Sequence, residues 1–282
     1  MSSTQKIPGL VDDVWLSQHL DDPHLVLLDA SIKNVAAPEN NNENYAILPK
    51  AQFFDLKKVF SDQSASLPSM VPCPQEFEIA CRTLGISQNS KVVVYDNKGI
   101  YSSPRAWFLF KIMGFDNVAI LNGGLPAWLQ AGRRTTNQYH TTNKEQGSFK
   151  AHFRPELVVN AEEVLNAIND PHKLIIDARS HGRFTGNEPE PRADLKGGHI
   201  PGSINIPYTE LLTNGKFIDQ ESLQAVLTTL NLNPQHLIFT WGSGITACIL
   251  KFAFEKAGYE KASVYDGSWT EWGQLSNAPI AL

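Results

Sequence analysis

The chain repeats itself once, and this constrains the fold more than any other feature of the sequence. Four ordered blocks recur. DPHLVLLDAS (22–31) parallels DPHKLIIDARS (170–180), which sets Asp29 against Asp177. AILPKAQFFDL (46–56) parallels GHIPGSINIPY (198–208) around Pro49 and Pro201. TLGISQNSKVVVYD (83–96) parallels TLNLNPQHLIFTW (229–241). GFDNVAILNGGLPAW (114–128) parallels GYEKASVYDGSWTEW (258–272), which pairs Trp128 with Trp272. The preserved order predicts two copies of one domain in 282 residues, each of roughly 140 residues, an ordinary domain size.

Within each copy, short apolar and β-branched runs such as LVLLDA, KVVVYD and VAILNG alternate with helix-like stretches. PQEFEIACRTLG and SPRAWFLFKIMG each end on a glycine suited to close a helix. Alternation of this kind predicts the α/β class, with a parallel sheet flanked by helices in each copy. Residues 136–156 are polar and aperiodic and read as a linker. That gives a first domain over 1–135 and a second over 157–282.

In an open parallel sheet, ligands bind at the carboxyl ends of the strands. There the run LIFT (237–240) leads into WGSGIT (241–246) and then the helix-like ACILKFAFEKAG. The N–H groups of Gly242, Ser243, Gly244, Ile245 and Thr246 can converge on one point, and a helix N-terminus adds positive potential. The alternative is a plain strand-to-helix turn, and the loop alone does not choose between them.

Composition excludes several function classes. A net charge of −5 is wrong for non-specific nucleic-acid binding, which needs a basic surface. No apolar run approaches the roughly 20 residues that span a bilayer, so no membrane partner is expected. The N-terminal MSSTQKIPGLVDD lacks the apolar core and cleavage site of a signal peptide. Three cysteines, Cys73, Cys81 and Cys248, are too few and too odd in number for a disulfide framework. They fit a reducing compartment, the cytoplasm. The eight histidines are scattered without metal-ligand spacing, and neither a metal nor another cofactor is expected.

The second copy resembles a rhodanese-type sulfurtransferase, and the duplicated layout resembles the two-domain mercaptopyruvate sulfurtransferases. The residues that carry the resemblance are DARSHGRF (177–184), EPEPR (188–192), GHIPGSINIP (198–207), GSGITAC (242–248) and YDGSWTEWG (265–273). In the first copy they are FFDL (53–56), VVVYD (92–96), YSSPRAW (101–107) and LNGGLPAW (121–128). The resemblance implies two tandem rhodanese-like domains, the first non-catalytic and the second carrying the active loop 241–246. In that family the loop reads Cys-Gly-Ser-Gly-Val-Thr. Its cysteine takes a sulfur atom from 3-mercaptopyruvate or thiosulfate as a persulfide and passes it to a thiol, thioredoxin or cyanide.

The resemblance therefore implies a small anionic sulfur donor or keto acid as ligand and a thioredoxin-like thiol as acceptor. Loop N–H groups, including those of Gly242, Gly244 and Ile245, would stabilise the thiolate. A donor carboxylate calls for arginine in bidentate geometry. Arg183 and Arg192 stand where the family keeps its substrate arginines; the other reading is ion pairing with Glu188 and Glu190. Ser243 and Thr246 match loop hydroxyls able to bond the sulfur or the substrate. Tyr101 matches a tyrosine that reaches across the domain cleft, or it is a core tyrosine. GSGIT carries no basic residue, which resembles the mercaptopyruvate type more than the thiosulfate type.

The chain departs from the family at the nucleophile. Trp241 holds that position, and an indole cannot form a persulfide. Cys248 lies seven residues on, inside the following helix, and reads as a small core residue. Ser69, in LPSMVP (67–72), stands where the family has a histidine, and Lys57 where it commonly has an acidic residue. These substitutions predict little or no sulfur transfer. Two readings follow: a sulfurtransferase-family protein inactive as written, or a degenerate member that binds a small anion, keto acid or protein partner.

Overall fold

The structure, a computed structural model, describes residues 6–32, 46–141, 146–192, 194–229, 236–242 and 245–282. The chain divides into two compact units. One comprises Met1–Gln63, Val71–Phe153 and Asn214–Lys216, and the other Ser64–Met70, Arg154–Thr213 and Phe217–Leu282.

The first half of the chain runs β1 (Leu10–Val11), α1 (Asp13–His19), β2 (Leu25–Asp29), β3 (Gln52–Phe53), α2 (Pro74–Thr83), β4 (Lys91–Tyr95), α3 (Ser103–Ile112), β5 (Val118–Leu121) and α4 (Gly124–Gln130). Its five strands are all parallel, in the order β1-β5-β4-β2-β3. Val92, Val93 and Val94 of β4 are fully buried, which is why a central parallel strand reads as an unbroken apolar run. Helix α1 starts at Asp12, whose carboxylate accepts the N–H of Trp15. Helix α3 closes before Gly114 at φ +80°, where an added Cβ would lie 2.5 Å from the His152 carbonyl oxygen.

Phe54, Phe60, Phe77, Phe110 and Phe149 pack ring against ring in the first core. Phe149 belongs to the polar stretch 136–156. Residues 146–153 form neither helix nor strand, yet they run along the first unit. Gly147 N donates to Arg82 O (2.9 Å), Phe149 N to Ile86 O (3.1 Å), and Ala151 N to Glu78 Oε2 (3.0 Å). A single buried aromatic among polar neighbours leaves no periodic signal in the sequence.

The second half runs β6 (Val158–Val159), α5 (Ala161–Ala167), β7 (Lys173–Asp177), α6 (His181–Phe184), β8 (Ile204–Asn205), β9 (Leu212–Thr213), β10 (Lys216–Phe217), α7 (Gln220–Thr229), β11 (His236–Thr240), α8 (Ala247–Lys256), β12 (Ala262–Tyr265) and α9 (Ser268–Trp272). Five parallel strands form its sheet in the order β6-β12-β11-β7-β8. This repeats the first sheet strand for strand, so the duplication read from sequence is present in the topology. Asn160 and Glu163 close a reciprocal cap on α5. Asn214 and Gly215, at φ +52° and +74°, turn β9 into β10, as a tight Asn-Gly hairpin requires. Trp128 and Trp272 are both buried, their indole N–H groups donating to Arg134 O and Pro279 O. Among the described residues no helix is long and apolar enough to cross a membrane.

Candidate functional site

Strands β7 and β11 are direct neighbours, with Thr240 opposite Asp177. The segments that leave their carboxyl ends therefore start side by side, and one of them begins with Trp241. The Trp241 carbonyl accepts the N–H of Trp269 (2.7 Å), and the Gly242 carbonyl accepts the N–H of Thr270 (2.9 Å) and the Thr270 hydroxyl. These bonds fasten the head of the loop to α9. The first copy has the matching bond, from Leu125 N to Asp96 O (3.0 Å). Entry into α9 needs a left-handed residue, which is Ser268 at φ +50° where the first copy has Gly124 at +49°. Ser268 is held there by donating its hydroxyl to Tyr265 O (2.8 Å). Burial, then the neighbouring Glu271 carboxylate, pushes the Tyr265 hydroxyl up, so it stays protonated and donates to Glu271 (2.8 Å).

The two strand-to-helix loops differ in what fills them. In the first copy Asp96 Oδ2 accepts the N–H groups of Tyr101 (2.9 Å), Ser102 (3.0 Å) and Ser103 (2.9 Å) and the Ser103 hydroxyl (2.7 Å). Its Oδ1 accepts the N–H of Lys98 (2.9 Å). The anion cradle at the start of α3 thus holds the chain's own carboxylate. In the second copy the aligned residue is Trp241, which brings no anion. Thr246, at the N-cap of α8, is fully buried and its hydroxyl has no hydrogen-bond partner among the described residues; the same holds for Thr240, just before Trp241. Ile245 is buried, and Ser243 and Gly244 lie outside the described residues. Cys248 sits inside α8 and is fully buried, while Cys73 and Cys81 belong to the first unit.

Beside the loop runs a chain of alternating charges. Arg179 grips Asp177 through Nε (3.0 Å) and Nη2 (2.7 Å), and Nη2 also donates to Gly198 O (2.7 Å). Its Nη1 donates to Glu190 Oε1 (2.8 Å). Arg183 then takes Glu190 in a two-point contact, Nη2 to Oε2 at 2.6 Å and Nε to Oε1 at 3.2 Å. The side chains of Arg179, Asp177 and Glu190 are 0%, 1% and 1% exposed, and that of Arg183 15%. The pairing of Arg183 is therefore a buried one, and its partner is Glu190; Glu188 instead accepts the Ser180 hydroxyl. Both guanidinium groups also face rings, Arg179 over Trp269 at 4.1 Å and Arg183 over Trp241 at 5.6 Å. A Cβ on Gly242 would lie 2.8 Å from Arg183 Nη2, so glycine there admits the guanidinium.

Arg192 is exposed, and no ion pair among the described residues holds it. Tyr101 is half-buried in the first unit, with Lys98 Nζ 4.2 Å from its ring. Lys57, also in the first unit, is exposed. Ser69 is grouped with the second unit, half-buried at φ +62°. The structure thus brings together Trp241, Gly242 and Arg183. To these it adds Asp177, Arg179 and Glu190, which sequence reasoning did not place in the site. The signal for Arg179 was its spacing, two residues past the end of a strand and beside the loop-bearing strand. Among the described residues no group of three His, Cys, Asp or Glu side chains is placed to hold a metal.

Known proteins share this architecture. The model of the rhodanese-like domain matches twice, over residues 12–131 and 160–275. The 3-mercaptopyruvate sulfurtransferase of Escherichia coli K12 is 35% identical over 273 residues, covering 94% of this chain and 95% of that protein. The human 3-mercaptopyruvate sulfurtransferase is 32% identical, covering 96% and 94%. The crystal structure of SseA from Escherichia coli superposes with a TM-score of 0.79 at 33% identity, covering 93% of this chain and 99% of that one. A sulfur transferase subunit of yeast mitochondrial complex I gives 0.84 at 33% identity, covering 97% and 98%.

Proposed function

This chain belongs to the rhodanese family, and from that membership we propose that it keeps a sulfurtransferase scaffold whose second-copy loop binds a small carboxylate without taking up sulfur. One observation carries the reading: Trp241 at the head of the loop, with its ring facing Arg183. Sulfur transfer in this family begins with attack by a thiolate on the donor sulfur. The lone pair of the indole nitrogen belongs to the aromatic ring, so Trp241 offers neither a thiolate nor a leaving group. Cys248 cannot replace it, because its sulfur is buried within α8. With no persulfide formed, a thioredoxin-like thiol has nothing to accept.

What supports ligand binding is the loop's polarity. Three features favour an anion: the start of α8, the Thr246 hydroxyl, which has no partner among the described residues, and the guanidinium of Arg183 with its remaining N–H groups. Arg192, exposed four residues past Glu188, is the second cation assigned to the ligand carboxylate. Relatives named for 3-mercaptopyruvate make a 2-oxo carboxylate the natural ligand class. Cysteines free of disulfides fit a reducing compartment, the cytoplasm among them.

The test is a thiocyanate assay. With 3-mercaptopyruvate or thiosulfate as donor and cyanide as acceptor, this chain is expected to form no thiocyanate above the uncatalysed background. Turnover comparable to that of a cysteine-bearing relative would refute the reading.

A further inference from the structure

Resting on the carboxylate-binding reading above, we propose that Glu190 is a positioning and specificity-determining residue: it holds Arg183 in place and cancels its charge, so that the site prefers a monoanion to a dianion. Glu190 engages Arg183 through Nε and Nη2, one edge of the guanidinium. No hydrogen bond among the described residues takes the opposite edge, Nη1 with the second hydrogen of Nη2, and that edge can meet a carboxylate with two parallel bonds. The guanidinium cannot turn away, because Glu190 is itself fixed from behind by Arg179 Nη1 at 2.8 Å, and Arg179 by Asp177 and Gly198 O.

The same chain of contacts sets the charge. Asp177 and Arg179 cancel within a fully buried pair. Glu190 then offsets Arg183, with only 1% of its side chain exposed to solvent screening. The four side chains of this ion chain thus sum to no net charge, and what remains positive at the loop is the partial charge at the start of α8. One carboxylate matches this. The second charge of thiosulfate meets the field of Glu190 without an added cation. Because Coulomb energy scales with ligand charge, removing the charge at Glu190 favours a dianion more than a monoanion.

The experiment is calorimetric titration of the full chain at constant ionic strength, with pyruvate as the monoanion and thiosulfate as the dianion. The unaltered chain is expected to bind pyruvate more tightly. Glu190→Gln is expected to move the ratio of the two affinities toward thiosulfate by about tenfold. Glu190→Asp keeps the charge with a shorter reach; it is expected to keep the ratio while weakening pyruvate binding. If Glu190→Gln binds pyruvate with an unchanged ratio, the role of Glu190 is overturned and the carboxylate reading stands. If the unaltered chain binds neither ligand, the carboxylate reading falls and this proposal with it. If Glu190→Gln does not fold, Glu190→Asp decides: a shifted ratio or undiminished pyruvate affinity overturns the proposal.

Discussion

At Trp241 an indole occupies the position from which, in the first copy, Asp96 sends its carboxylate into the loop. The two side chains answer the same backbone problem in opposite ways. Asp96 satisfies the N–H groups at the start of α3, and Trp241 leaves those at the start of α8 without an anion from its own side chain. A thiol at this position would be flanked by the Arg183 guanidinium and the start of α8, both of which favour a thiolate. Trp241→Cys is therefore expected to gain the mass of one sulfur atom when incubated with 3-mercaptopyruvate. Replacing a half-buried indole is expected to lower stability by about 2 kcal/mol, read by urea denaturation. Failure to take up sulfur in a folded variant would place further losses elsewhere, with Ser69 and Lys57 as the first positions to restore.

Individual elements carry their own tests. Helix α3 begins on a carboxylate that accepts three backbone N–H groups and one hydroxyl. Asp96→Ala is expected to cost about 2 kcal/mol and to speed amide exchange at Tyr101, Ser102 and Ser103. Strand β11 begins with His236, half-buried, whose Nε2 lies 3.0 Å from Ser263 Oγ. Burial first, then the charges of Lys173, Lys251 and Lys261, holds this histidine below its ordinary 6.5. The unfolded chain then binds the proton at a higher pH than the folded one does. Stability is accordingly full above pH 6.5 and falls as pH drops through 6.5 toward the depressed folded value. His236→Asn is expected to flatten that fall, checked by denaturation midpoints on either side of pH 6.5. A variant with the same slope as the unaltered chain would remove His236 as its source.

Across the whole molecule, the fold was legible because each copy states the same pattern independently. Asp29 and Asp177 end corresponding strands, and Trp128 and Trp272 fill corresponding cores. The exceptions are residues whose role depends on distant partners. Phe149 sits in a polar stretch, and only its contacts with α2 and α3 rings reveal it as core. Glu190 lies in EPEPR, where the sequence offers it as an ion-pair partner of Arg183 but does not show its burial; that burial depends on Arg179, eleven residues away, being gripped by Asp177 and Gly198 O. The repeat set Asp96 opposite Trp241, yet only the folded loop shows that several N–H groups converge on that carboxylate. Sequence pattern records what an element buries, while a buried ion chain or a self-filled loop is set by how elements meet.

The claim that organises these observations is that no residue of this chain takes sulfur from the donor in the second-copy loop. Intact-mass measurement after incubation with excess 3-mercaptopyruvate, followed by peptide mapping, addresses it directly. The expected result is an unmodified mass. A gain of one sulfur atom mapped to residues 241–248 would contradict the account.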